Sequence, residues 1–125
     1  MSDAAGPTVL LVEDDDDNRE LMAEVLESAG YRVVAVASGS QALEAVGGRS
    51  IDAVVTDIGM AGVGGLEVAR AAKAKRPPVP VLVVTGYSER DDITGAQGRD
   101  VDALLVKPID PDALVEGIRR ILDAR

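Results

Sequence analysis

Four stretches of this chain end in groups that can do chemistry. Val9-Leu10-Leu11-Val12 runs into Glu13-Asp14, Ala53-Val54-Val55-Thr56 into Asp57, Val81-Leu82-Val83-Val84 into Thr85, and Leu104-Leu105-Val106 into Lys107. Each is an apolar, largely β-branched run of the length of a buried strand, closed by a polar or charged residue. If the four ends meet at one edge of a sheet, Glu13, Asp14 and Asp57 share a crevice. Two carboxylates about 5 Å apart repel by roughly 3 kcal/mol at an effective dielectric near 20, so the cluster calls for protons or a cation. A donor set made only of oxygen selects a hard ion, and Mg2+ is satisfied by one or two carboxylates with water and phosphate oxygens. Lys107 adds a point positive charge and Thr85 a hydroxyl, two groups suited to the oxygens of a phosphoryl group in transfer. Asp57 is then the candidate nucleophile, and its product would be an acyl phosphate.

The elements that must position these groups can be read in order. Residues 8–12 predict the first strand, and Asp16 or Asp17 can cap a helix to about residue 29. Leu21, Met22, Val25, Leu26 and Ala29 share one face of that helix, and Gly30 is its natural stop. A second strand over residues 31–36 leads to Ser38-Gly39-Ser40-Gln41, a capping-box pattern that opens a helix carrying Leu43 and Val46 and ending at Gly47-Gly48. After Asp57 comes a glycine-rich loop over residues 58–65, and then a helix over residues 66–75 that Pro77-Pro78 ends. A fourth strand spans residues 79–84. The fourth helix, over residues 88–97, has Ile93 as its only strongly apolar residue and is expected to be short or mobile. A fifth strand over residues 103–106 leads through Lys107-Pro108 to Asp110-Pro111, which caps a final helix with Leu114, Val115, Ile118, Ile121 and Leu122 inward.

Strands alternating with helices predict an α/β fold, a doubly wound five-stranded parallel sheet of order 2-1-3-4-5 in the flavodoxin-like (βα)5 arrangement. Its switch point lies between the first and third strands, so Asp14 and Asp57 become neighbours where such sheets build their sites. At 125 residues the chain is expected to be a single domain, with its core over about residues 8–123. With no Trp and no Phe among its 46% apolar residues, that core rests on Val, Leu, Ile and Ala, which suits a sheet covered on both faces.

Composition also excludes. The absence of Cys and His removes disulfides, thiolate or imidazole metal sites, imidazole catalysis and phosphohistidine formed on this chain. A net charge of −9 argues against nucleic-acid or anionic-membrane surfaces, which demand a basic footprint. No apolar run reaches the length of a membrane span, residues 1–7 lack the regions of a signal peptide, and the cytoplasm is the expected location. Asp15, Asp16 and Asp17 read as caps and solvated charge rather than ligands, and Arg70, Lys73, Lys75 and Arg76 as a solvated helix end.

Taken together, Val12-Glu13-Asp14-Asp15, Asp57, Thr85 and Lys107-Pro108 resemble the signature of response-regulator receiver domains of two-component signalling, the chemotaxis-regulator-like type. The resemblance covers residues 9–122, with all four motifs in order and at the family's spacing. It implies transfer of a phosphoryl group to Asp57 from the phosphohistidine of a sensor histidine kinase or phosphotransfer protein. Mg2+ would be held by Glu13, Asp14, Asp57 and the backbone carbonyl of Gly59. It further implies a self-catalysed aspartyl phosphorylation and dephosphorylation rather than turnover of external substrates, and a cis Lys107–Pro108 peptide. In such domains the threonine and lysine move inward on phosphorylation and remodel the face of the fourth helix, fifth strand and fifth helix. That face would meet a downstream target or an attached output domain, or a second copy in a homodimer. Leu104 stands where an aromatic often couples to the switch threonine, and Gly59 and Tyr87 where phosphoryl lifetime is tuned. Small Gly59 is expected to admit water and bulky Tyr87 to oppose it.

Three rivals share parts of this pattern. A phosphatase of the haloacid dehalogenase type wants a second carboxylate two residues after the nucleophile, where this chain has Gly59. A nucleotide or flavin module wants a phosphate-binding loop after the first strand, where residues 13–17 would repel a bare phosphate. A pseudo-receiver acting as a phosphorylation-independent protein-binding module would not need the full set of site residues.

Overall fold

Each of the predicted apolar runs forms a strand. In the computed structural model, which describes residues 6–59, 62–86 and 100–125, the strands are β1 (Thr8–Val12), β2 (Arg32–Val36), β3 (Ala53–Asp57), β4 (Val81–Thr85) and β5 (Ala103–Val106). They pair in the order β2-β1-β3-β4-β5, and every pairing is parallel. β3 and β4 are buried at every residue, as continuous Val-rich runs covered on both faces must be, whereas the edge strands β2 and β5 are only partly covered.

Four helices are described: α1 (Asp16–Ser28), α2 (Gly39–Gly48), α3 (Gly65–Lys73) and α4 (Pro111–Asp123). The helix expected over residues 88–97, with Tyr87 before it, and the loop residues Met60 and Ala61 lie outside the described residues. Among the described residues no helix is long and apolar enough to cross a membrane.

Alternation along the strands divides the interior in two. Leu10, Val12, Val54, Val81 and Val83 face α2 and α3 and pack with Ala42, Val46, Val68 and Ala72. Val9, Leu11, Val55, Leu82 and Val84 face the other way and pack with Met22 and Leu26 of α1 and Leu114, Ile118 and Ile121 of α4. Fully burying one such side chain contributes roughly 1.5–3 kcal/mol.

Local chemistry sets the helix ends. α1 is capped by Asp15, whose carboxylate accepts from the Asn18 N–H at 2.8 Å, one residue earlier than the expected Asp16 or Asp17. Those two carboxylates occupy the first turn instead, where they favour the helix dipole. The end of α1 closes as a Schellman motif on Gly30 (φ 100°), with the Tyr31 N–H donating to the Leu26 carbonyl and the Gly30 N–H to that of Glu27. Ser38 caps α2 through the Gln41 N–H, and Asp110 with Pro111 opens α4.

At the amino ends of the strands the chain repeats itself. Asp52 Oδ2 accepts from the Thr8 N–H at 2.8 Å while its own N–H donates to the Thr8 carbonyl at 2.8 Å. Asp102 does the same with Val81, at 2.8 Å for both bonds. Ile51-Asp52-Ala53 and Val101-Asp102-Ala103 are thus equivalent stretches that pin β1 against β3 and β4 against β5, a local repetition that was not apparent from the sequence alone. Arg125 also reaches Asp52 at 3.0 Å, and Lys73 reaches Asp102 at 2.5 Å.

Candidate functional site

The register decides which side chains meet. β1 pairs with β3 so that Val12 faces Thr56, and β3 with β4 so that Asp57 faces Val84. Glu13 and Asp14 therefore leave β1 beside the end of β3, and Thr85 lies one residue beyond the partner of Asp57. The Lys107 N–H donates to the Thr85 carbonyl at 2.8 Å, which extends the β4–β5 ladder to the lysine.

Carboxylate oxygens of Glu13, Asp14 and Asp57 all lie within 4.8 Å of one another. Asp14 is exposed, but Glu13 is 1% exposed and Asp57 7%. Lys107 Nζ donates to Asp57 Oδ2 at 2.8 Å and lies 3.8 Å from Glu13 Oε1. Glu13 Oε2 accepts from the Asp15 N–H at 3.1 Å, while Oε1 is buried without a hydrogen-bond partner. An unpartnered buried carboxylate oxygen facing a cluster of like charge is the arrangement a cation would relieve. Nearby, Arg19 donates to the Glu13 carbonyl at 3.0 Å and so ties α1 to the end of β1.

Electrostatics follow from this geometry. Burial pushes the Glu13 carboxyl above its ordinary value, with the charges of Asp57 and Asp14 adding to the push and the Asp15 N–H and Lys107 opposing it. Desolvation pulls Lys107 down, but its hydrogen bond to Asp57 and the charges of Asp57, Glu13 and Asp14 outweigh that pull and hold it above the usual lysine range. Lys107 is therefore a fixed cation at any physiological pH.

The remaining expected residues fall as follows. Gly59 meets Asp57 through its N–H, which donates to Oδ1 at 3.1 Å. Thr85 is fully buried, and its hydroxyl donates to the Gly86 carbonyl at 3.1 Å rather than towards the carboxylates. Leu104 of β5 pairs with Val83 of β4 and is 38% exposed. The Lys107–Pro108 peptide is cis. Tyr87 lies outside the described residues.

Two glycines matter to the site in a way the sequence did not suggest. A Cβ on Gly65, the first residue of α3, would lie 2.3 Å from the Asp57 carbonyl oxygen, and one on Gly39 would lie 2.1 Å from the Val63 carbonyl oxygen. The glycine-rich loop thus contains a close backbone approach that holds α3 against the Asp57–Ile58 peptide. Such a role can be suspected for a glycine at the first turn of a helix that follows a site strand, but composition alone reads it as flexibility.

Beside the carboxylates, an apolar groove of about 490 Å3 runs between α1 and the start of α4, lined among others by Leu21, Met22, Val25, Pro108 and Ile109. Leu21 is 56% exposed there, while Met22 and Leu26 of the same helix are buried.

Comparison with known proteins agrees with this geometry. The sequence profile of the response regulator receiver domain matches residues 9–119. A cyclic di-GMP phosphodiesterase of Thermotoga maritima is 34% identical over 107 residues, which are 86% of this chain and 28% of that protein. The C4-dicarboxylate transport transcriptional regulatory protein DctD of Rhizobium meliloti is 34% identical over 122 residues, 98% of this chain and 26% of that protein. The chain thus spans about a quarter of the length of these curated relatives. Among solved structures, the receiver domain of a sensor histidine kinase from Pseudomonas aeruginosa superposes with a TM-score of 0.84 at 28% identity, covering 95% of this chain and 99% of that one, and carries a magnesium ion coordinated in its active site cleft. Phosphoacceptance is general among such domains. The switch-point crevice of three carboxylates with a lysine over the central aspartate sits on a 2-1-3-4-5 sheet, the family profile and relatives cover nearly the whole chain, and the chain belongs to the response-regulator receiver family of two-component systems.

Proposed function

We propose that this domain accepts a phosphoryl group on Asp57 from the phosphohistidine of a sensor histidine kinase or phosphotransfer protein, and that the acyl phosphate alters a protein-interaction face. The observation that carries this reading is the pairing of Asp57 with Lys107 inside a carboxylate cluster whose buried Glu13 Oε1 accepts no hydrogen bond. In the transfer an Asp57 oxygen attacks phosphorus, the O–P bond forms, the donor N–P bond breaks, and the histidine nitrogen leaves to take up a proton. Lys107, already at Oδ2, stands ready to bind the phosphoryl oxygens that arrive there, and the Gly59 N–H steadies Oδ1. Burial of Asp57 limits access of bulk water to the product.

The donor set fits Mg2+: it is all oxygen, partly buried, and has an orphaned acceptor. Glu13, Asp14 and Asp57 would hold it, with the Gly59 carbonyl as a further candidate. Such an ion neutralises the charge gathered between carboxylates and phosphate. Thr85 would serve by turning its hydroxyl from the Gly86 carbonyl towards the phosphoryl group. Leu104, Gly59 and Tyr87 are proposed to tune the output and lifetime of that state. The protein donor is expected to rest in the apolar groove at Leu21, because that groove opens beside Glu13 and Lys107. Residues 1–125 would act as a single receiver domain.

The test is intact-mass spectrometry after incubation with Mg2+ and acetyl phosphate, with Asp57→Asn as control. A Mg2+-dependent single phosphoryl adduct that the control lacks is the expected result. A folded protein that takes up no adduct and binds no beryllofluoride would overturn the reading in favour of a phosphorylation-independent binding module.

A further inference from the structure

The opposite end of the molecule carries a second concave surface that the carboxylate chemistry does not use. It lies at the amino ends of the strands, between the turn after α3 and the carboxyl half of α4, with a volume of about 1260 Å3. Basic residues are 13 of 125 in the chain but six of the 22 that line this groove: Arg49, Lys73, Lys75, Arg76, Arg120 and Arg125. Three carboxylates share the lining, and each is already paired: Asp52 with Arg125, Asp102 with Lys73, and Glu116 with Arg120. Arg49, Lys75 and Arg76 have no carboxylate partner among the described residues, and Arg76 donates to the carbonyls of Lys73 and Lys75 instead. A chain with a net charge of −9 therefore gathers a local surplus of cations at one pole, away from its acidic crevice.

We propose that this groove docks an acidic segment of a partner protein, with aspartate or glutamate side chains at Arg49, Lys75 and Arg76 and apolar residues against Ile51, Pro77 and Pro78. Three features favour a peptide over a small anion. The groove exceeds the roughly 300–1,000 Å3 of ordinary small-molecule sites. Its unpaired cations sit on long side chains, and one of them, Arg76, is already turned to the carbonyls of Lys73 and Lys75. Pro77, Pro78 and Pro80 offer no N–H donor, so backbone donors are few along that wall. Charge spread over an apolar surface suits a ligand whose own charges are spread along a chain.

The test uses the whole chain, isotope-labelled, titrated with a synthetic peptide of alternating glutamate and leucine. Its lysine–leucine counterpart and ATP serve as comparison probes. The expected result is saturable binding of the acidic peptide, with amide shifts around Arg49, Lys75 and Gly117 and none at Asp57, weakening as salt rises. Joint substitution Arg49→Glu, Lys75→Glu and Arg76→Glu should weaken binding at least about tenfold. Glu116→Gln, which frees Arg120, should tighten it a few-fold and keeps the test independent of any folding defect in the triple variant. Absence of binding, or binding indifferent to both variants, overturns the proposal. Tighter binding of ATP than of the peptide overturns it in favour of a small-anion site. Concentration-dependent self-association that the triple variant abolishes overturns it in favour of a second copy of this chain.

Discussion

Lys107 Nζ stands 2.8 Å from Asp57 Oδ2 and 3.8 Å from Glu13 Oε1, so one ammonium neutralises the two most deeply buried carboxylates of the site. Removing it leaves both buried and mutually repulsive. Lys107→Ala should destabilise the Mg2+-free protein by about 1–3 kcal/mol, and added Mg2+ should recover part of that loss. Urea unfolding with and without Mg2+ measures both effects.

Mg2+ itself should raise the melting temperature, because a cation that binds only the folded cluster stabilises by mass action, about 2.7 kcal/mol at a hundredfold excess over Kd. Asp14→Asn should blunt the rise without unfolding the protein, since Asp14 is exposed. An unchanged Mg2+ response in calorimetry would remove Asp14 from the ligand set.

Two glycines should respond oppositely to alanine. Gly65→Ala drives a methyl into the Asp57 carbonyl and should cost about 2–4 kcal/mol, with phosphoacceptance falling alongside. Gly47, exposed within α2 with nothing within 4 Å of its Cβ position, should stabilise by about 0.5–1 kcal/mol as alanine. Chemical denaturation of the pair reports the contrast directly.

The pH dependence of stability should contain contributions of opposite sign. Partial burial raises the Asp52 carboxyl, but the Thr8 N–H and Arg125 outweigh it and hold the group below its ordinary value. Its contribution is thus present above the unfolded pKa and lost as pH falls through the folded one. Asp52→Asn should flatten the acid limb below about pH 4. Glu13, raised by burial, binds its proton more tightly when folded, so its contribution is greatest at low pH and is lost as pH rises through the folded pKa. Glu13→Gln should accordingly stabilise the Mg2+-free protein at neutral pH and remove that dependence, as thermal melts across pH would reveal.

Leu21→Glu should separate protein donors from small ones. A charge placed in the groove beside Lys107 should slow transfer from a phosphorylated kinase or phosphotransfer protein by at least about tenfold, and labelling by acetyl phosphate should fall far less. Equal loss with both donors in the mass assay would move donor docking elsewhere.

Much of the architecture was legible because buried parallel strands read as unbroken Val- and Leu-rich runs, and their polar last residues announce the edge at which they meet. That logic places Glu13, Asp14, Asp57 and Lys107 at one edge, and the structure has them meet there. Finer matters depend on contacts between distant residues. Four consecutive aspartates from Asp14 to Asp17 give no local reason for Asp15 to be the cap; in the fold Asp15 is the residue with extended backbone just before the helix, and its carboxylate reaches the Asn18 N–H. The Thr85 hydroxyl can face the site or its own backbone with the same sequence, and here it faces Gly86. Gly65 reads as looseness and is in fact close packing, because only the fold brings the Asp57 carbonyl to it.

The sheet also acts as a partition. Leu10 and Leu11 are neighbours in the chain, yet one belongs to the compartment closed by α2 and α3 and the other to that closed by α1 and α4. Volume lost on one side has no route for repair from the other. Compensating changes during divergence should therefore link residues two apart on a strand, or across a layer, as Leu11 with Leu26 or Ile118, and should leave adjacent residues such as Leu10 and Leu11 to drift independently.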